Sequence, residues 1–264
     1  MMARGKLIAG LLALPLLGYG AACSWMYAKQ RDLMYFPQAT RADAAQTDFG
    51  IARNGVMLNG WLVNPGQPRA VVYFGGNAER IEAMRDEFAR WFPDSSVYLV
   101  PYRGFGASEG EPSEAALFED ALAVYDQASA RQPGAPITVI GRSLGSGVAS
   151  YVASQRPVAG LVLVTPFDSM ASVAQAHYPW LPVKWLVRDR YESTRYVADY
   201  QGPVLVVRAG RDQVIPTVHT DRLISAFATP PQVLDLPEAD HGTVAADPAY
   251  GRALSSFVAA AGAR

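Results

Sequence analysis

Apolar residues along this chain fall into short continuous runs separated by longer, helically spaced segments, and that alternation predicts its elements. Ala70-Val71-Val72-Tyr73-Phe74, Ser96 to Val100, Ile137 to Ile140, Leu161 to Val164, Val204 to Arg208 and Val233 to Leu236 each read as a buried strand. Between them lie helical patterns. Ile81, Met84, Phe88 and Trp91 share one face, and Leu117, Ala121, Val124 and Tyr125 share another, on a helix starting near Ser113. Further helices are expected after residue 143, from Thr217 to Phe227 and from Pro248 to Ala260. Strands alternating with helices imply crossover units, hence an α/β fold with a mainly parallel sheet covered on both faces. Ahead of these, Phe49 to Ala52 and Val56 to Val63 flank Asn54-Gly55, a hairpin signal. The stretch from Thr165 to Gln201 has no clear period.

The amino terminus follows another rule. Arg4 and Lys6 precede an uncharged stretch from Leu7 to Ala28, long enough to span a bilayer, for which about 20 residues suffice. Residues 1–29 are therefore expected to be a transmembrane anchor, with the remaining domain at 30–264 on the exported side, periplasmic or extracellular. Two alternatives stay open. Gly20-Ala21-Ala22 would suit a cleaved signal peptide, and Cys23 would suit a lipoprotein, although Gly20 stands where an aliphatic residue is usual.

Composition narrows the classes. The 264 residues are 50% hydrophobic and 18% charged, which supports one sizeable core and argues against disorder. A formal net charge of -1 offers no basic surface for nucleic acid. The single Cys23 excludes an intramolecular disulfide and a cysteine-rich metal site. Only three histidines are present, so each can be weighed as a base.

Gly141-Arg142-Ser143-Leu144-Gly145 fits G-x-S-x-G between a strand and a helix, the setting in which a sharp turn lifts the serine oxygen above a sheet edge. In that architecture an acid and then a histidine follow the serine. Asp212 lies just after the Val204 strand and His241 just after the Val233 strand, both at the carboxyl edge where such sheets bind ligands. Ser143 is thus the candidate nucleophile, His241 its base and Asp212 the carboxylate that fixes the imidazole. Asp168 also sits beyond a strand end and competes with Asp212; Asp240 adjoins His241 and is poorly placed to meet its ring. His177 and His219 do not match the required position. The N–H of Leu144 is one expected oxyanion donor, and the loop after the Ala70 strand supplies the other, from Asn77 with Gly76 next. Neither a metal nor an organic cofactor is required by this chemistry.

Gln30-Arg31-Asp32-Leu33-Met34-Tyr35-Phe36-Pro37, Gly76-Asn77-Ala78, Tyr102-Arg103-Gly104-Phe105-Gly106, Ser108-Glu109-Gly110, the serine motif, Gly210-Arg211-Asp212 and His241-Gly242 occur in that order. Together they resemble the membrane-anchored α/β-hydrolases related to abhydrolase-domain lipid hydrolases and protein depalmitoylases. The resemblance implies an α/β-hydrolase fold and a serine hydrolase acting on lipid or acyl esters or thioesters, with the triad as assigned. One departure is that relatives carry a histidine where this chain has Gly75. A small cap is expected over residues 166–200, with Tyr178, Trp180, Leu181, Val183, Trp185, Leu186 and Val187 as walls of an acyl pocket, or else as a helix simply packed on the sheet. Arg188, Asp189 and Arg190 read as a solvated, self-paired patch. Acyl transfer or peptide cleavage by the same triad, and a non-catalytic binding role, are the competing functions.

Overall fold

The computed structural model describes the backbone of residues 2–263 and the side chains of residues 14–263. Eight strands form one sheet: β1 (Phe49–Arg53), β2 (Val56–Val63), β3 (Arg69–Phe74), β4 (Ser95–Leu99), β5 (Ile137–Arg142), β6 (Gly160–Val164), β7 (Val204–Ala209) and β8 (Gln232–Leu236). Their order is β1-β2-β4-β3-β5-β6-β7-β8. β1 pairs with β2 and β2 with β4 antiparallel; every later pairing is parallel. The hairpin expected at Asn54-Gly55 is present, with φ of 45° and 79° at those two residues, the positive values that a tight two-residue turn needs.

Because successive strand residues point to opposite faces, the apolar runs feed two cores. Val72, Phe74, Val139, Leu161 and Val206 belong to one, together with Leu117 and Val124 of α3 (Glu114–Arg131) and Val148 and Val152 of α4 (Leu144–Gln155). Val71, Tyr73, Ile140, Val162 and Val207 belong to the other, with Phe88 of α2 (Arg85–Trp91) and Tyr250, Leu254 and Phe257 of α9 (Pro248–Ala261). Burial on both faces explains why these strands are continuously apolar instead of alternating. Residues Ile81–Met84 form a 3-10 turn leading into α2, and α8 (Thr217–Ile224) stops short of Phe227.

The irregular region carries three short helices, α5 (Met170–His177), α6 (Val183–Leu186) and α7 (Ser193–Val197). Against it lies α1 (Met2–Met34). The expected transmembrane anchor over residues 1–29 is not supported: among the described residues no helix is long and apolar enough to cross a membrane. The first part of that stretch, residues 1–13, lies outside the described side chains. The described part is interrupted by polar groups that dock it on the domain. Tyr19 Oη donates to the Trp180 carbonyl at 2.9 Å. Gln30 Oε1 accepts from the Arg188 N–H at 2.7 Å, while its amide donates to the Leu186 carbonyl at 3.3 Å. Arg31 grips Asp189 through Nε (2.9 Å) and Nη2 (3.2 Å), and Tyr35 Oη donates to Asp189 Oδ2 at 3.1 Å.

Asp189 is therefore no surface residue; it is 4% exposed and holds α1 to the segment between β6 and β7. Its neighbour Arg188 lies over the Tyr27 ring, 4.3 Å from the centroid. Burial raises the pKa of Tyr35 and Tyr191 well above that of an ordinary phenol, so both act as neutral hydrogen-bonding groups.

Candidate active site

Ser143 is the residue between β5 and α4, with φ 51° and ψ -118°. Glycines on either side make that turn possible. A Cβ on Gly141 would strike the Gly145 carbonyl oxygen, and one on Gly145 would strike that of Phe74. The Ser143 N–H donates to the Val164 carbonyl at 2.9 Å, tying the turn to β6.

The three residues singled out for chemistry converge. His241 Nε2 lies 2.9 Å from Ser143 Oγ, and His241 Nδ1 lies 2.7 Å from Asp212 Oδ2. The other Asp212 oxygen accepts from the N–H groups of Val214 (2.9 Å) and Ile215 (2.7 Å), so the carboxylate is fixed on both sides. Its side chain is 3% exposed and that of His241 17%. A buried carboxylate on Nδ1 favours the tautomer that leaves Nε2 free to accept the serine proton.

The competing groups lie elsewhere. Asp168 pairs with His219 Nδ1 at 2.8 Å in a separate buried contact, and His177 Nε2 meets the Val214 carbonyl at 2.9 Å. Asp240 caps its own turn, accepting from Gly242 and Thr243; those bonds, the Thr243 hydroxyl foremost, lower its pKa.

The loop after β3 departs from expectation at one position. The Gly76 N–H donates to Glu79 Oε2 at 2.5 Å, so it is not free to meet an oxyanion. The N–H groups of Asn77 and of Leu144, the first residue of α4, take up no partner among the described residues. The Asn77 side chain clamps the end of α1 to this loop, its Oδ1 accepting from Phe36 N–H (3.0 Å) and its Nδ2 donating to the Met34 carbonyl (2.6 Å).

Two further residues organise the loop without having stood out in the sequence. Glu79 Oε1 receives Tyr73 Oη at 2.8 Å and lies 3.2 Å from Arg142 Nη1, and Arg142 Nη2 donates to the His241 carbonyl at 3.0 Å. Burial, the largest single influence, opposes the charge on Arg142, but the attraction of Glu79 leads a set of opposing contributions that together raise the pKa of the guanidinium. Tyr102 Oη donates to the Gly75 carbonyl at 2.7 Å. The available signals were an arginine at the second position of the serine motif and a glutamate three residues past Gly76; neither type of residue is diagnostic alone.

A cavity of about 570 Å³ opens on Ser143. Tyr178, Leu181, Val183, Leu186 and Val187 line it, as expected of an apolar wall. Trp180 and Trp185 do not; they are 60% and 88% exposed. A further part of the lining was not anticipated, for it comes from α1. Among the described residues no cluster of side chains suited to a metal ion is found.

The comparisons with known proteins agree with this architecture. Residues 66–201 match the family model described as serine aminopeptidase, S33. The uncharacterized protein Rv2307c of Mycobacterium tuberculosis is 37% identical over 231 residues, covering 82% of each chain. YfhR of Salmonella typhi is 30% identical over 76% of each chain, and the α/β-hydrolase domain-containing protein WAV2 of Arabidopsis thaliana is 30% identical over 66% of this chain and 64% of its own. Among solved structures, Est1E from Butyrivibrio proteoclasticus superposes with a TM-score of 0.65 at 15% identity, covering 83% of this chain and all of the other. The Pyrococcus furiosus esterase Pf2001 gives 0.64 at 15% identity over 86% and 94%. Sheet order, serine turn and sequence likeness converge on one assignment: the chain belongs to the serine aminopeptidase S33 family of α/β-hydrolases.

Proposed function

We propose that this protein is a serine hydrolase that cleaves carboxylic esters or thioesters of apolar acyl groups through an acyl-enzyme. The observation that carries the reading is the Ser143–His241–Asp212 relay, in contact distance throughout and opening into an apolar cavity. Ser143 Oγ attacks the acyl carbonyl as His241 Nε2 takes its proton, and Asp212 holds the imidazolium that results. The N–H groups of Leu144 and Asn77 receive the oxyanion. His241 then gives its proton to the departing alkoxide or thiolate. Water, activated by the same imidazole, attacks the acyl-enzyme, and its collapse releases the acid and restores Ser143.

The family description names an aminopeptidase, and one observation weighs against that activity here. A free α-ammonium group needs an anionic partner in a buried site, and no aspartate or glutamate lines the cavity among the described residues.

The test is labelling with a fluorophosphonate together with a panel of oxygen esters and thioesters. The wild-type protein is expected to label and to turn over acyl esters. Ser143→Ala is expected to lose labelling and about 10⁴-fold or more of turnover. Equal labelling of both proteins would overturn the assignment.

A further inference from the structure

The described part of α1 is exposed along most of its length, yet Cys23, Met26, Gln30 and Met34 are only partly exposed and all four line the cavity. Their spacing of three, four and four places them on one helical face. That face has a direction. At the Met34 end, the Met34 carbonyl is bound by Asn77, whose loop abuts Ser143: a Cβ on the adjacent Gly76 would lie 3.5 Å from Ser143 Cβ. From Met34 the stripe runs away from the reactive oxygen for about 16 Å before reaching Cys23, at 1.5 Å rise per residue.

The stripe is also chemically uniform. Gln30 is its one polar member, and its amide is occupied by the backbone of Tyr27, Leu186 and Arg188. Met26 and Met34 line the cavity together with Met170, Val173 and Leu181, and flexible thioethers adapt to a chain without fixed shape. The wall is held in register by the Arg31–Asp189 pair and the Asn77 clamp, at either side of the stripe's inner end.

From this we infer that α1 is the ruler of the substrate pocket: the acyl chain lies along the stripe from Met34 toward Cys23, and Met26 and Cys23 set the chain length accepted. The inference rests on the hydrolase reading above and adds the element that selects among acyl groups.

The order of positions supplies the test. Esters from butyryl to palmitoyl are compared on the full chain carrying Cys23→Trp or Met26→Trp. Cys23→Trp is expected to depress kcat/KM for the longest chains at least tenfold relative to butyryl. Met26→Trp, one turn nearer Ser143, is expected to impose the same loss at shorter chains as well, and Met26→Ala to shift preference toward longer ones. Trp25→Ala, on the outward face at 58% exposure, is expected to keep the wild-type profile. Should tryptophan prevent folding, Cys23→Leu and Met26→Phe probe the same order in smaller steps. Unchanged profiles, or a shorter cut-off from position 23 than from 26, would overturn the ruler while leaving the hydrolase intact. A wild-type protein inert toward every ester would overturn the hydrolase reading and the ruler with it.

Discussion

Glu79 divides its carboxylate between two duties that meet at the reactive centre. One oxygen takes the Gly76 N–H, and the other takes Tyr73 and faces Arg142, which in turn holds the His241 carbonyl. A single acid thus sets both the loop that carries Asn77 and the loop that carries His241. Losing an oxyanion donor outright costs on the order of 10²–10³ in turnover. Glu79→Ala keeps the donor but frees its loop, so kcat is expected to fall by about 10–100-fold with KM little changed, and Glu79→Gln is expected to recover part of that loss. Steady-state kinetics on a short-chain ester decides it; a rise in KM alone would show that the residue shapes binding instead. At this scale the sequence was informative wherever chain order constrains geometry. Ser143, Asp212 and His241 had to follow one another in that order at strand ends, and they do, after β5, β7 and β8. Glu79 and Arg142 are far apart in the chain, and no local pattern announces that their side chains meet. Gly76 illustrates the same limit, since only the fold reveals that its N–H is already taken.

Elements were legible in proportion to how far local rules govern them. β3, β5, β6 and β7 are apolar runs that can be satisfied only between two covered faces, so their sequence leaves little choice. α1 is different. Within it the uncharged stretch from Leu7 to Ala28 reads along the chain as a bilayer span, whereas what ties its described part to the domain is a set of distant partners, Asp189 above all. The triplet Arg188-Asp189-Arg190 looks self-neutralising when read along the chain. In the fold the two arginines turn elsewhere, to Tyr27 and to Glu192, and Asp189 meets Arg31 and Tyr35. Asp189→Ala is therefore expected to strip three hydrogen bonds from the junction of α1 with the segment between β6 and β7, leaving the buried Tyr35 hydroxyl one partner fewer, at a cost of about 1–3 kcal/mol. Hydrogen exchange should report it as faster amide exchange over residues 23–34, with β5 and β6 unaffected. Protection unchanged over α1 would show that apolar contact alone holds the helix.

Over the whole molecule, the site draws on widely separated parts of the chain: α1 contributes a wall, the centre contributes Ser143, and His241 arrives only after β8, with α9 still to follow. Asp168 and Asp212 both stand at the carboxyl edge of the sheet, and it is the placing of β7 beside β6 and of β8 beyond it that gives His241 one of them and His219 the other. This partition follows from the complete strand order and from nothing local.

The backbone of Ser143 has a consequence for the molecule as a whole. A non-glycine residue at φ 51° and ψ -118° sits in a sparsely populated region that costs of order 1–3 kcal/mol. Glycine would shed most of that cost, against about 0.4–1 kcal/mol for the added freedom of its unfolded chain. Ser143→Gly and Ser143→Ala lose the same hydroxyl, so comparing them isolates the backbone. The glycine variant is expected to be the more stable by about 1 kcal/mol, a melting temperature about 2–4 °C higher, which reverses the usual ranking of the two residues; calorimetry that found alanine the more stable would refute it. Heat tolerance and activity are then opposed at a single residue. Selection of this protein for thermal resistance alone, without an activity screen, would enrich glycine at position 143 and return a sturdier fold without the serine hydroxyl.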